Sequence, residues 1–219
     1  MKQSKASKKM KSSRRHFLKA GLLAPFFVGT ANASKYIVTP PEVEGPFYPV
    51  TAQKDKDFDL TKVQGQKSSA QGTHLEIHGR VVDQQGVPIE DAVVDIWQAN
   101  TFGRYRHPAD TSQGKLDPGF QGWAIVSSAN DGSFRFKTIK PGAYKVTSNW
   151  FRPPHIHFKV SKRGYEELTT QMYFPDEPLN KVDKLLLRQS EEARETMISR
   201  LVSEQTLPVY NYQVVLQKA

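Results

Sequence analysis

The chain has 219 residues, no cysteine, and 31 Lys and Arg against 22 Asp and Glu, for a net charge of +9. Without cysteine it can build no disulfide, no thiolate zinc site and no thiol nucleophile. Residues 1–33 carry eight of the basic residues and no acid, which leaves 23 basic against 22 acidic residues in the other 186, and so no basic footprint for nucleic acid outside that leader.

Residues 1–33 read as an export signal. Ser13-Arg14-Arg15-His16-Phe17-Leu18-Lys19 fits the twin-arginine pattern after a Lys-rich start, and an apolar run follows from Leu22 to Gly29. Ala31-Asn32-Ala33 then offers a small-x-small cleavage site. The apolar run is far shorter than the ~20 residues of a bilayer span. The expectation is an exported protein, periplasmic or extracellular, with no membrane span; a retained amphipathic anchor is the alternative.

Residues 34–72 form an irregular arm rich in Pro and Gly, with Glu44-Gly45-Pro46-Phe47-Tyr48-Pro49 and then a polar stretch too poor in apolar residues for a core element. From residue 73 to 219 the pattern predicts one β domain. Strands are expected at Leu75 to Val82, Ala92 to Gln98, Trp123 to Ser127, Ser133 to Phe136, His155 to Val160, Thr169 to Phe174 and Tyr210 to Leu216. Asn130-Asp131-Gly132 is a hairpin signal. One short C-terminal helix is expected over Glu191 to Glu204, with Ser190 as its N-cap and Glu191 and Glu192 at the positive end of its dipole. Short strands with Gly and Pro turns indicate a mainly β fold, an antiparallel sandwich with a long loop from Ala99 to Gln121.

One stretch carries metal chemistry by its spacing. In Arg152-Pro153-Pro154-His155-Ile156-His157-Phe158 the two histidines lie at i and i+2 of a strand, so both imidazoles project from the same face. Two prolines make the chain enter that strand stiff and extended. Two histidines on a polar strand face are the bland reading; the scarcity of histidine, six in the chain, favours a metal.

Three blocks in order, Trp97-Gln98-Ala99-Asn100-x-x-Gly103-Arg104-Tyr105-x-His107, Asp131-Gly132-x-Phe134-x-Phe136-x-Thr138-Ile139-x-Pro141-Gly142-x-Tyr144, and Arg152-Pro153-x-His155-Ile156-His157-Phe158, resemble the intradiol ring-cleavage dioxygenases. The likeness is strongest to the branch of the protocatechuate 3,4-dioxygenase beta subunit, and Gly45-Pro46-Phe47-Tyr48-Pro49 looks like that family's N-terminal signature. The resemblance implies a prealbumin-like sandwich with long active-site loops. It implies a ferric ion, Fe(3+), on Tyr105, Tyr144, His155 and His157, with Arg152 catalytic and Gln171 behind it. It also implies substrate contacts at Gly45, Pro46 and Tyr48. By the same resemblance Tyr144 is the phenolate that leaves the metal to take a substrate proton, and Tyr105 the one that stays. The substrates implied are O2 and a small aromatic diol, protocatechuate or a related catechol, cleaved to a muconate-type diacid. A homo-oligomer and a homologous partner subunit are both left open.

That donor set makes chemical sense for hard ferric iron, which favours anionic oxygen and tolerates imidazole. A bound cation holds a phenol as phenolate far below its usual pKa of about 10. The competing reading is a non-catalytic prealbumin-like binding module, which shares the turns but has no use for Tyr105, Arg152, His155 and His157 together. A zinc or copper hydrolase would want a carboxylate near the His pair.

Overall fold

A computed structural model describes residues 36–51, 53 and 55–219; the expected export signal at 1–33 lies outside them. Strands β1 (His74–Asp83), β4 (Ser133–Ile139), β9 (Arg200–Ser203) and β10 (Val209–Leu216) form one sheet in the order β4-β1-β10-β9. Strands β2 (Val93–Trp97), β3 (Trp123–Ser127), β7 (His155–Ser161) and β8 (Leu168–Tyr173) form the second, in the order β3-β2-β7-β8. Strands β5 (Tyr144–Thr147) and β6 (Trp150–Arg152) pair only with each other.

The two four-stranded sheets share one core. Ile77, Val81, Phe134, Phe136, Tyr212 and Val214 of the first are buried in one cluster with Val94, Ile96, Ile156, Phe158, Val160 and Met172 of the second. These are alternate residues of each strand, so the period of two seen in the sequence becomes the inner face of a sandwich. Burying each large apolar side chain contributes about 1.5–3 kcal/mol.

Four expectations need correction. The sandwich is not wholly antiparallel: β1 and β10 run parallel from Glu76↔Val209 to Asp83↔Leu216. A parallel pair needs a long crossover, and nearly the whole domain lies between those strands. The Asn130-Asp131-Gly132 turn forms, with Gly132 at φ 78° and its N–H donating to the Ala129 carbonyl at 2.8 Å. It does not make a hairpin, because β3 and β4 belong to different sheets. Strand β4 pairs with β1 instead, where Gly79 sits opposite Phe134 and leaves the space its ring fills.

The helix α1 (Glu191–Met197) is capped by Ser190, which accepts from the Ala193 N–H at 3.2 Å, but it stops seven residues early. Ile198 bridges to Tyr173, and both the N–H and the hydroxyl of Ser199 bond the Tyr173 carbonyl, which pulls the chain out into β9. Finally, the polar arm does supply core: Leu60 is 0% exposed and packs in the main cluster with Ala70. Backbone bonds from the Leu60 N–H to Lys137 and from the Gln121 N–H to the Leu60 carbonyl, both 2.9 Å, hold it there.

Candidate metal centre

Strand β7 is buried on both faces. Ile156, Phe158 and Val160 enter the core, while His155 and His157 point out of the sandwich and are also buried. Neighbouring strands complete this outer face. Trp97 of β2 and Gln171 of β8 lie in register with His157, and Tyr173 of β8 with His155. The Trp97 ring stacks on His157, 4.8 Å between centroids and 11° from parallel, which orients an imidazole whose Nδ1 has no hydrogen-bond partner. The His155 Nδ1 donates to the Pro153 carbonyl at 2.6 Å, which leaves its Nε2 lone pair free.

Three segments cover this face. The loop between β2 and β3 brings Tyr105. Its turn is organised by Asn100, whose Oδ1 accepts from the N–H groups of Phe102 and Arg104 at 2.9 and 3.1 Å. Asp110 accepts from the Tyr105 N–H at 2.7 Å. The β5–β6 hairpin brings Tyr144 at its start and Arg152 at its end, cross-strand partners in the register. The arm brings Phe47, whose ring centre lies 4.8 Å from that of Tyr105 and 6.5 Å from that of Tyr144. Gly103 fastens loop to hairpin: at φ 71° its Cα faces the Ala143 carbonyl so closely that a Cβ would lie 2.5 Å from that oxygen.

The donor atoms converge. Tyr105 Oη is 3.1 Å from His157 Nε2 and 3.5 Å from His155 Nε2, and the two Nε2 atoms are 3.2 Å apart. The Tyr144 ring packs beside them, its centre 5.7 Å from that of Tyr105 and 5.6 Å from that of His155. Ligands at about 2.1 Å from a common ion stand about 3.0–3.4 Å from one another, so these positions fit one ion between them. Among the described residues no group of three or more His, Cys, Asp or Glu forms a rival site. The set is therefore two imidazoles and two phenols, a match for ferric iron and a poor one for zinc.

Electrostatics agree with that choice. Burial, then Arg152, then its neighbour His157, pushes His155 well below its usual pKa. Burial and Arg152 take His157 down to about 3. Both rings are neutral at pH 7 and free to ligate. Burial raises the pKa of Tyr105 well above normal, helped by Tyr144, and burial also raises that of Tyr144 against the pull of Arg152. Without a cation these phenols keep their protons; a bound trivalent ion inverts that balance.

A cavity of about 410 Å³ opens beside the donors, lined by Gly45, Pro46, Phe47, Val146, Trp150 and Leu185 together with Tyr144, Arg152 and His157. Gly45 and Pro46, which the resemblance implied as substrate contacts, line this cavity. Tyr48 does not line it. Its hydroxyl donates to Asp95 at 2.6 Å and its ring meets Trp97 edge-on, so it buttresses the stack behind His157. Gln171 accepts from Arg152 Nη2 at 2.5 Å, and its own amide donates to the Val43 carbonyl at 2.9 Å. Sequence reasoning assigned no site role to Asp110, Tyr173 and Asp183. Asp183 carried one readable sign, an Asp two and three residues ahead of the backbone N–H groups it caps.

The family described as Dioxygenase matches residues 43–218. The protocatechuate 3,4-dioxygenase beta chain of Burkholderia cepacia is 40% identical over 153 residues, covering 68% of this chain and 65% of that protein. The hydroxyquinol 1,2-dioxygenase of Rhizobium sp. (strain MTP-10005) is 30% identical over 125 residues, 51% of this chain and 41% of that protein. The chain thus spans less than two thirds of these curated relatives. Among solved structures, the dioxygenase domain of a dioxygenase carbohydrate-binding protein fusion from Streptomyces sp. SirexAA-E superposes with a TM-score of 0.64 at 29% identity, over 84% of this chain and 100% of that one. The 3-chlorocatechol 1,2-dioxygenase of Rhodococcus opacus 1CP does so with a TM-score of 0.63 at 25% identity, over 82% and 73%.

Proposed function

This chain belongs to the intradiol ring-cleavage dioxygenase family, and we propose that it inserts both atoms of O2 into a catechol-type aromatic, cleaving the ring between the two hydroxyl-bearing carbons to a muconate-type diacid. The observation that carries this reading is the convergence of Tyr105, His155 and His157 within 3.1–3.5 Å, with Tyr144 beside them at the mouth of a cavity that also holds Arg152. A non-catalytic binding module gives no reason for that convergence.

Tyr105, Tyr144, His155 and His157 would hold a ferric ion. Bound there, it would supply Lewis-acid and one-electron chemistry toward an aromatic diol. The residues do the rest. Tyr144 lines the cavity, and as a phenolate it is the base for a proton of the incoming diol. Arg152 stays charged and lies under the cavity, where it stabilises negative charge that develops on the ring. Pro46, Phe47, Val146, Trp150 and Leu185 form an apolar part of the wall, which also carries Glu44, Asp110 and Lys145. The cavity volume is near the small end of the about 300–1,000 Å³ usual for ligand sites, which suits a single-ring diol such as protocatechuate or a relative of it.

The Burkholderia relative is a beta chain, which supports a homologous partner subunit or self-pairing here. No helix among the described residues is long and apolar enough to cross a membrane. The twin-arginine pattern in residues 1–33 supports export to the periplasm or beyond.

The test is to load the protein with iron and offer it catechol, protocatechuate and hydroxyquinol while recording its visible spectrum, oxygen uptake and product masses. We expect a phenolate-to-iron charge-transfer band, one O2 consumed per ring and a product heavier by both oxygen atoms. Iron bound without such a band, or no uptake with any of the three diols, would count against the reading.

A further inference from the structure

The guanidinium of Arg152 is 4% exposed, and it is ion-paired with a carboxylate that has no solvent exposure at all, Asp183. Arg152 Nε donates to Asp183 Oδ2 at 2.8 Å. The other oxygen, Oδ1, accepts from the N–H groups of Leu185 and Leu186 at 3.1 and 2.8 Å, at the start of the 3-10 turn Leu186–Arg188. The carboxylate therefore cannot rotate without breaking two backbone bonds. On the far side of the guanidinium, Nη2 donates to Gln171 Oε1 at 2.5 Å and to Tyr173 Oη at 3.0 Å. Bonds in the plane at both Nε and Nη2 fix that plane.

We propose that Asp183 is a positioning residue, one that holds the Arg152 guanidinium in the orientation from which it acts on the substrate. The proposal rests on reading Arg152 as the cation that stabilises the developing charge. Three points carry it. Arg152 lines the cavity, and Leu185, the N-cap of that 3-10 turn whose N–H Asp183 holds, lies on the cavity wall, so Asp183 ties cation and wall to one rigid post. Arginine has a long, rotamer-rich side chain, and a displacement of about 1 Å at a catalytic group costs up to about a hundredfold in rate. A buried ion pair is in itself weak evidence of stabilisation, whereas a pair whose acid is also pinned by the backbone has the geometry of an orienting device.

The experiment is a double-mutant cycle on the iron-loaded protein with Asp183→Asn, Arg152→Leu and the combination. It reads kcat, KM, the anaerobic dissociation constant of the diol and the melting temperature. Asp183→Asn keeps shape and one acceptor but weakens the bond to Nε. We expect kcat to fall about 10–100-fold, with KM and the dissociation constant changed much less. In the Arg152→Leu background the same substitution should change kcat by less than about twofold, because the group it positions is gone. Asp183→Glu, which keeps the charge and moves it, should also lose turnover, and it decides the matter if the Asn variant fails to fold. Equal losses in both backgrounds, or an unchanged kcat alongside a damaged Arg152→Leu enzyme, would overturn the positioning role alone. An unchanged kcat in Arg152→Leu itself would overturn the reading of Arg152 and the proposal with it.

Discussion

His155 and His157 are buried neutral, and that sets the response of the metal-free protein to acid. An unfolded chain takes up a proton at each ring near the ordinary value of 6.5, whereas the folded His157 does so only near pH 3. Between those values the unfolded state binds more protons, so stability falls as the pH is lowered through that window, by up to about 1.4 kcal/mol per pH unit for each such ring. Urea unfolding of the metal-free protein at pH 7 and pH 4.5 should show the lower midpoint at pH 4.5, and His157→Asn should lose part of the difference. An identical pH dependence in the variant would mean that the ring is not held neutral. At this scale the histidine pair was legible because i, i+2 on a strand is a property of the backbone alone. The partners of Arg152 were not, since Asp183 lies 31 residues away and its cap to Leu185 and Leu186 looks like any other loop Asp.

The ligands come from three elements that meet through backbone contact rather than through side-chain packing alone. Gly103 and Gly142 stand where the β2–β3 loop passes against the chain leading into β5, with Gly103 at φ 71° and a virtual Cβ 2.5 Å from the Ala143 carbonyl. A side chain at Gly103 must push the loop that carries Tyr105 away from the hairpin that carries Tyr144. Gly103→Ala is expected to cost about 1–3 kcal/mol in stability and to lower the iron retained per chain, read by urea unfolding and metal analysis. Full iron occupancy with only a stability loss would show that the loop finds its place without this contact. The hairpin β5–β6 escaped the strand reading because it is short and largely exposed, and the Tyr-Lys-Val-Thr alternation of β5 covers only four residues. The helix was overextended for the opposite reason. Its N-cap chemistry is local, while its end is set by the Tyr173 carbonyl, which captures Ser199 from a different strand.

Across the whole molecule, every residue assigned to the site lies between Gly45 and Asp183, inside a sandwich whose core draws on strands from His74 to Leu216. A chain begun at Ser34 should therefore fold, hold iron and turn over a diol as the full chain does. Circular dichroism, iron content and oxygen uptake would check this. An insoluble or iron-free product would show that the first 33 residues contribute to the fold.

Sequence alone determined what depends on local periodicity and local chemistry. Strand alternation led to the sandwich, Ser190 capped its helix, Gly132 made its turn, and two histidines two apart faced the same way. The tertiary structure decided what depends on which segments meet. It put β4 beside β1 instead of β3, ran β10 parallel to β1, and drew Leu60 from a polar arm into the core. It also turned Tyr48 from the cavity to Asp95, and set Asp183 against Arg152. The physical reason is the same in each case. A backbone period or a cap is a property of neighbours in the chain, whereas a close approach of distant segments is paid for by the whole core and leaves no pattern in either segment.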